Sequence, residues 1–165
     1  MQASENLATF HRADWVEGYS LKVYKDPGSK DPQGKPWTVG IGHTGADVVL
    51  GETWTPERVT EAWRRDVADA ERVVNFGIGQ APTTQGQFDA MVDMTFNVGG
   101  TAFLKSTLLR KHLAGLQAQA ADEFLRWDKN DGQSLHGLRR RCAARRALYT
   151  GAAAADALAI GWAVA

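Results

Sequence analysis

Apolar positions change their period along the chain, and the change marks out its architecture. In the stretch ERVTEAWRRDVADAERVV, Val59, Ala62, Trp63, Val67, Ala70, Val73 and Val74 recur in steps of three and four, forming one stripe of an α-helix. Thr55 stands at the N-cap, Pro56 at the first helical position and Glu57 in the first turn, so the spacing predicts a long helix over residues 55–76. Upstream, Leu7, Phe10, His11 and Trp15 share one arc at 100° per residue while Val16 does not, which predicts a helix over 4–18. LKVY and WTVGIGH instead alternate with a period of two. The glycines and prolines between them, at 27–36, predict a turn joining two strands.

Downstream the pattern is helical again, over 84–98 closed by Gly99 and Gly100, over 106–114 closed by Gly115, and over 117–127. Two more helices are predicted at 137–149, closed by Gly151, and at 152–163. A small early sheet followed by a helical bundle is an α+β fold. The expected layout is an N-terminal helix and antiparallel sheet lobe at 1–54, a connecting helix at 55–76 and a helical lobe at 77–165.

Composition narrows the function classes. At 165 residues, 44% hydrophobic and 23% charged, the chain is an ordinary globular domain. Cys142 is its single cysteine, so no internal disulfide is expected and a reducing compartment suits its synthesis. The N-terminal MQASENLATFHRADW lacks the basic head and apolar stretch of a signal peptide. The apolar C-terminal segment GAAAADALAIGWAVA carries Asp156 and falls short of the roughly 20 residues that span a bilayer, so a surface helix is expected rather than stable membrane insertion. Net charge is zero but divided: residues 1–99 hold 9 Lys and Arg against 14 Asp and Glu, residues 100–165 hold 10 against 5. A polyanionic partner for the basic half and a merely solvated basic face both remain open. No CxxC, HExxH, GxSxG or GxxxxGK[ST] motif occurs, and neither GIGH nor NVGG has dinucleotide-binding spacing. No metal site and no cofactor is therefore expected, and no nucleic-acid partner.

Among the residues that could carry chemistry, Glu17 lies about 20° from the Phe10 direction if the first helix runs to residue 18. A carboxylate there would be partly desolvated and near the negative end of the helix dipole, and both effects favour the protonated form that a general acid needs. Asp26 ends the first strand ahead of Pro27 and Gly28, a position equally suited to starting a turn. Strand alternation puts Trp37, Val39 and Ile41 on one face and Thr38, Gly40 and Gly42 on the other. The second face offers one hydroxyl and two bare backbone positions, suited to close approach by a bulky ligand or to a Gly-weakened edge. Asp66 falls in the middle of the long helix's apolar stripe, where a carboxylate needs a partner, and His43 at the strand end is the expected one.

These residues stand in a recognisable order. The segment VEGYSLKVYKDPGSKDPQGKPWTVGIGHTG resembles the phage-type lysozymes, endolysins and muramidases of glycoside hydrolase family 24 of the T-even phage group. Their pattern is a helix ending in Glu-Gly, a basic strand ending near Tyr-x-Asp, a turn, and Thr-x-Gly-x-Gly-His. The resemblance continues through QFDAMVDMTFNVGGTAFLKSTLLRKHL, FLRW and GLRRRCAARRALY, covering about residues 10–149. It implies a lysozyme-like fold. Position by position, the family's catalytic Glu, Asp and Thr fall on Glu17, Asp26 and Thr38, its substrate-contacting positions on Thr44, Phe96 and Ser106, and its His to Asp ion pair on His43 and Asp66. Gly40 and Gly42 are taken as the substrate-facing backbone of the same groove.

This chain departs from the T-even pattern in three ways. Twelve residues separate Asp26 from Thr38, so SKDPQGKP reads as an insertion; Arg145 stands where many relatives have an acid; and the net charge is less basic. The resemblance implies hydrolysis of the β-1,4 bond between N-acetylmuramic acid and N-acetylglucosamine in peptidoglycan, with inversion. Glu17 would be the acid, and Asp26 with Thr38 would activate water across a carboxyl separation of roughly 6.5 to 9.5 Å. A lytic transglycosylase and a non-catalytic peptidoglycan-binding module are the competing readings. The expected setting is a monomer that accumulates in the host cytoplasm and reaches the wall once a holin permeabilises the membrane.

Overall fold

The computed structural model describes residues 1–25, 31–130 and 132–164. In chain order its elements are α1 (Glu5–His11), β1 (Ser20–Lys25), β2 (Trp37–Gly40), β3 (His43–Thr44), α2 (Pro56–Ile78), α3 (Gln85–Val98) and α4 (Gly100–Leu104). There follow α5 (Thr107–Leu113), α6 (Gln117–Glu123) with a 3₁₀ turn at Phe124–Arg126, β4 (Lys129–Asn130), β5 (Gln133–Ser134), α7 (His136–Tyr149) and α8 (Ala154–Trp162). The fold is α+β and mainly helical. None of the described helices is long and apolar enough to cross a membrane.

The chain divides into two compact units, one of residues 11–68 and one of residues 1–10 with 69–165. The expected layout kept the first ten residues with the sheet, whereas their polar groups are satisfied in the helical unit. The Ala3 N–H donates to Glu71 at 2.7 Å, the Ser4 hydroxyl and N–H donate to Asp89, and Asn6 Oδ1 accepts from the Ala154 N–H at 2.7 Å. Local amphipathicity predicts a helix there but carries no information on which unit buries it.

In the 11–68 unit, β2 is the central strand, antiparallel to β1 on one side and β3 on the other. Val23, Val39 and Ile41 are buried, as are Val59, Ala62, Trp63 and Val67 along the first half of α2. Thr55 caps that helix, its Oγ1 accepting from the Arg58 N–H at 3.2 Å. The first helix stops at His11, seven residues before its expected end. Beyond it the chain winds into turns, with the Glu17 N–H donating to the His11 carbonyl at 3.2 Å and Gly18 at φ +82°. Tertiary contact makes the stop: His11 is fully buried, and its Nδ1 accepts the Trp63 indole N–H at 3.0 Å.

In the helical unit, α3 opens on a reciprocal capping box between Thr84 and Gln87 and buries Phe88 through Thr95. Gly99 closes it as expected, but Gly100 begins α4, an element the sequence pattern did not signal. A Cβ at Gly100 would lie 3.0 Å from Val73 Cγ2, so the bare backbone permits that close approach. The β4–β5 pair was also unexpected, because two-residue strands are too short to show alternation. Asp93 is fully buried on α3 and is met from α7 by Arg141 Nη2 at 2.6 Å and Arg145 Nε at 2.5 Å. Between these two arginines on α7, Cys142 is buried, and burial pushes its thiol pKa up.

His112 on α5 is likewise buried, within 2.6 Å of the Tyr149 hydroxyl and 2.9 Å of the Thr83 hydroxyl. Desolvation holds its pKa below the ordinary histidine value. The folded state therefore resists a proton that the unfolded chain takes up near pH 6.5. Its stability contribution is complete above that pH and is lost as pH falls. Urea midpoints taken between pH 7.5 and 5.5 should decline, and His112→Gln should flatten the decline by up to about 1.4 kcal/mol per pH unit.

Candidate active site

The β2–β3 connection places the sequence-selected residues. Alternation ends at Gly40, because Gly40 and Gly42 both take left-handed backbone angles, φ +67° and +68°, and fold the chain back into β3. The expected ligand face of Thr38, Gly40 and Gly42 is therefore not continuous. Gly40 is buried and its bare side meets α2, where a Cβ would lie 2.9 Å from Val59 Cγ1; its role is sheet-to-helix packing, not substrate clearance. Thr38 is only 8% exposed, held in register between Tyr24 of β1 and Thr44 of β3. Gly42 is partly accessible and Thr44 is exposed.

Gly42 faces Glu17. A Cβ on Gly42 would sit 3.0 Å from Glu17 Oε2, so the missing side chain is what lets the carboxylate lie against the turn. Glu17 is half-buried and lies six residues past the end of α1, so the helix-dipole argument for its protonation does not hold. Backbone anchoring replaces it: the Glu17 N–H is bound to His11, and His11 is bound to Trp63. Gly42→Ala should act twice, straining the positive φ by about 1–2 kcal/mol and displacing the Glu17 carboxylate. We expect kcat to fall at least tenfold with a modest drop in the thermal midpoint; a fully active Gly42→Ala enzyme would show that the carboxylate does not depend on this clearance.

His43 Nδ1 lies 2.8 Å from Asp66 Oδ2, joining the sheet to α2 inside the same unit. Asp66 is partly accessible, not enclosed as its place on the apolar stripe suggested. A second carboxylate was not anticipated: His43 Nε2 lies 3.2 Å from Asp47 Oδ1. That hydrogen bond, more than the nearby charges, holds the Asp47 carboxyl below its ordinary value. The i, i+4 spacing of His43 and Asp47 is a helical signal, and here it spans a turn, so the pattern hid it. Trp54, with its ring centroid 5.4 Å from that of His43 and the Arg58 guanidinium 3.7 Å above its own, closes the other side.

The remaining assignments lie elsewhere. Asp26 falls outside the described residues. Phe96 and Ser106 belong to the helical unit: Phe96 is half-buried on the last turn of α3, while Ser106 is buried and its Oγ accepts the Leu109 N–H at 3.1 Å. Ser106 is thus engaged as the N-cap of α5, not as a substrate contact. Arg145, noted as a departure in the sequence, is absorbed by Asp93.

A half-buried glutamate pressed against a glycine turn of a small antiparallel sheet, in an otherwise helical chain, is the arrangement of a lysozyme-like carbohydrate hydrolase. The family model described as phage lysozyme matches residues 14–145. An endolysin of Salmonella phage P22 is 38% identical over 156 residues, covering 90% of this chain and 98% of the relative. An endolysin of Bacillus phage PZA is 39% identical over 133 residues, covering 81% of this chain but 50% of that protein, so the chain spans about half the length of that relative. A solved P22 lysozyme mutant superposes with a TM-score of 0.76 at 33% identity, over 92% of this chain and 99% of the other. This chain belongs to the phage lysozyme family: it is a peptidoglycan-hydrolysing enzyme of the endolysin class.

Proposed function

We propose that the chain cleaves the β-1,4 bond between N-acetylmuramic acid and N-acetylglucosamine, with Glu17 protonating the leaving oxygen. The observation that carries this reading is the Glu17 carboxylate lying against Gly42, clamped from behind through His11. A fixed, half-desolvated carboxyl group is what proton delivery to a glycosidic oxygen requires. Asp26, nine residues on, and Thr38 then position and activate a water on the opposite face of the sugar, giving inversion. Thr44, Gly42 and Phe96 are the substrate contacts of this reading. Glu17 alone serves a lytic transglycosylase equally well, so the product decides. Proton NMR of the first-formed reducing end should show the α-anomer; the β-anomer would reject the water mechanism, and a 1,6-anhydro end would establish transglycosylation.

The enzyme of this reading is a monomer that accumulates in the host cytoplasm and meets the wall after a holin opens the membrane. Family membership supports the wall as its target; the route rests on the resemblance. Induced cells should stay intact until a holin is co-expressed, and lysis without one would overturn that route.

A further inference from the structure

A hollow of about 570 Å³ lies inside the 11–68 unit, between Lys35–Trp37 on one side and Thr44–Ala46 with Val48 on the other. It borders the proposed reaction centre. Trp37 precedes Thr38 in β2, and Thr44, in its wall, is the register partner of Thr38. The inserted turn therefore supplies one wall of a space adjoining the groove.

That wall is built, not slack. Asp31 gathers the turn, its Oδ1 accepting from the Gln33 N–H at 2.8 Å and the Lys35 N–H at 3.3 Å, while its carbonyl accepts from the Gly34 N–H at 2.8 Å. The Trp37 indole N–H donates to the Gln33 carbonyl at 3.3 Å, and Lys35 Nζ stands 5.2 Å from the Trp37 ring centroid. An ammonium placed over an indole is oriented by the ring's negative face.

Among the described lining residues, Lys35 is the one that carries a charge. The neighbouring acid, Asp47, is already engaged by His43 Nε2 at 3.2 Å and by Arg65 Nη2 at 3.7 Å. Gly45 leaves the floor bare, since a Cβ there would meet Asp47 Oδ1 at 2.7 Å. Pro36, Val48 and the indole supply apolar surface around one cation. Such a site takes a small carboxylate with a short aliphatic body.

Peptidoglycan offers that chemistry, because its muramoyl residues bear short peptides with free carboxylates. The geometry points to this hollow as a subsite for the acidic peptide stem, with Lys35 meeting a stem carboxylate and Trp37, Pro36 and Val48 packing on its aliphatic part. This rests on the proposed cleavage of the glycan strand. Its consequence is selectivity: the inserted turn makes peptide-bearing strands better substrates than bare ones.

Two measurements test it. Calorimetric titration of a free stem tripeptide into the whole protein should show binding that weakens about fivefold or more in Lys35→Glu, survives in Lys35→Arg, and fades as salt is raised. Rates of reducing-end release should be compared on glycan strands carrying stems and on the same strands stripped by an amidase. The preference for stem-bearing strands should fall by a similar factor in Lys35→Glu. Equal tripeptide binding by wild type and Lys35→Glu, or equal losses on both substrates, would overturn the subsite. Wild-type inactivity on both strands would instead sink the proposed cleavage, and the titration alone would then decide the subsite.

Discussion

Glu17→Gln should clear no peptidoglycan. The substitution keeps the shape of the side chain and its place against Gly42 but removes the transferable proton, so kcat should fall by about 10² to 10⁴ while the fold persists. Turbidity clearance of purified walls, read beside an unchanged thermal midpoint, makes the comparison. Binding to insoluble peptidoglycan should survive in the variant, because only the chemical step has lost its acid. Equal clearance by wild type and Glu17→Gln would remove Glu17 from the reaction. No clearance by either would favour a protein that only binds the wall.

The largest expected loss of stability lies in the other unit. Asp93→Ala leaves two guanidinium groups, Arg141 at 7% exposure and Arg145 at 0%, without the anion between them. Breaking a buried pair by removing one partner costs about 3–5 kcal/mol, because the remaining charge stays desolvated. Urea denaturation at pH 7 should register that loss with an unchanged slope. Arg145→Met is the informative contrast. Arg145 Nη1 has no hydrogen-bond partner among the described residues, and Arg141 would still neutralise Asp93. That exchange should change stability by no more than about 1 kcal/mol in either direction. A large loss from Arg145→Met together with a small one from Asp93→Ala would show that the second arginine, not the aspartate, holds α3 to α7.

Both residues illustrate what could be read in advance. Asp93 sits in DAMVDMTF, an apolar helical run in which Asp89 and Asp93 are four apart, so a buried carboxylate was legible. Its partners lie some fifty residues away on α7, and helix periodicity has no means of naming them. The pairing of His43 with Asp66 was legible because the long helix is strongly periodic and β2 runs only a few residues. Asp47 was not, since a carboxylate in an irregular turn has no periodic signature.

The limits are similar in the fold. The extent of α2 followed from Thr55, Pro56 and the valine stripe, all local signals. The end of α1 did not, because HRADW holds no breaker and the stop is set by the distant Trp63. Gly40 shows the same divide. Alternation assigned it a face correctly as far as strand geometry goes, but whether that face meets solvent or Val59 depends on where α2 packs. The chemical order of Glu17, Asp26 and Thr38 was the most legible feature, carried by residue types at fixed spacing rather than by structure.

Cys142 gives the fold a further property. Enclosed on α7 with its thiolate form disfavoured, it offers neither an accessible nucleophile nor a route to a mixed disulfide. An enzyme made where thiols are kept reduced and used outside, among oxidants, meets a change of redox surroundings at the moment it acts. With its single sulfhydryl sealed in the helical unit, this one makes the passage with its covalent structure unaltered.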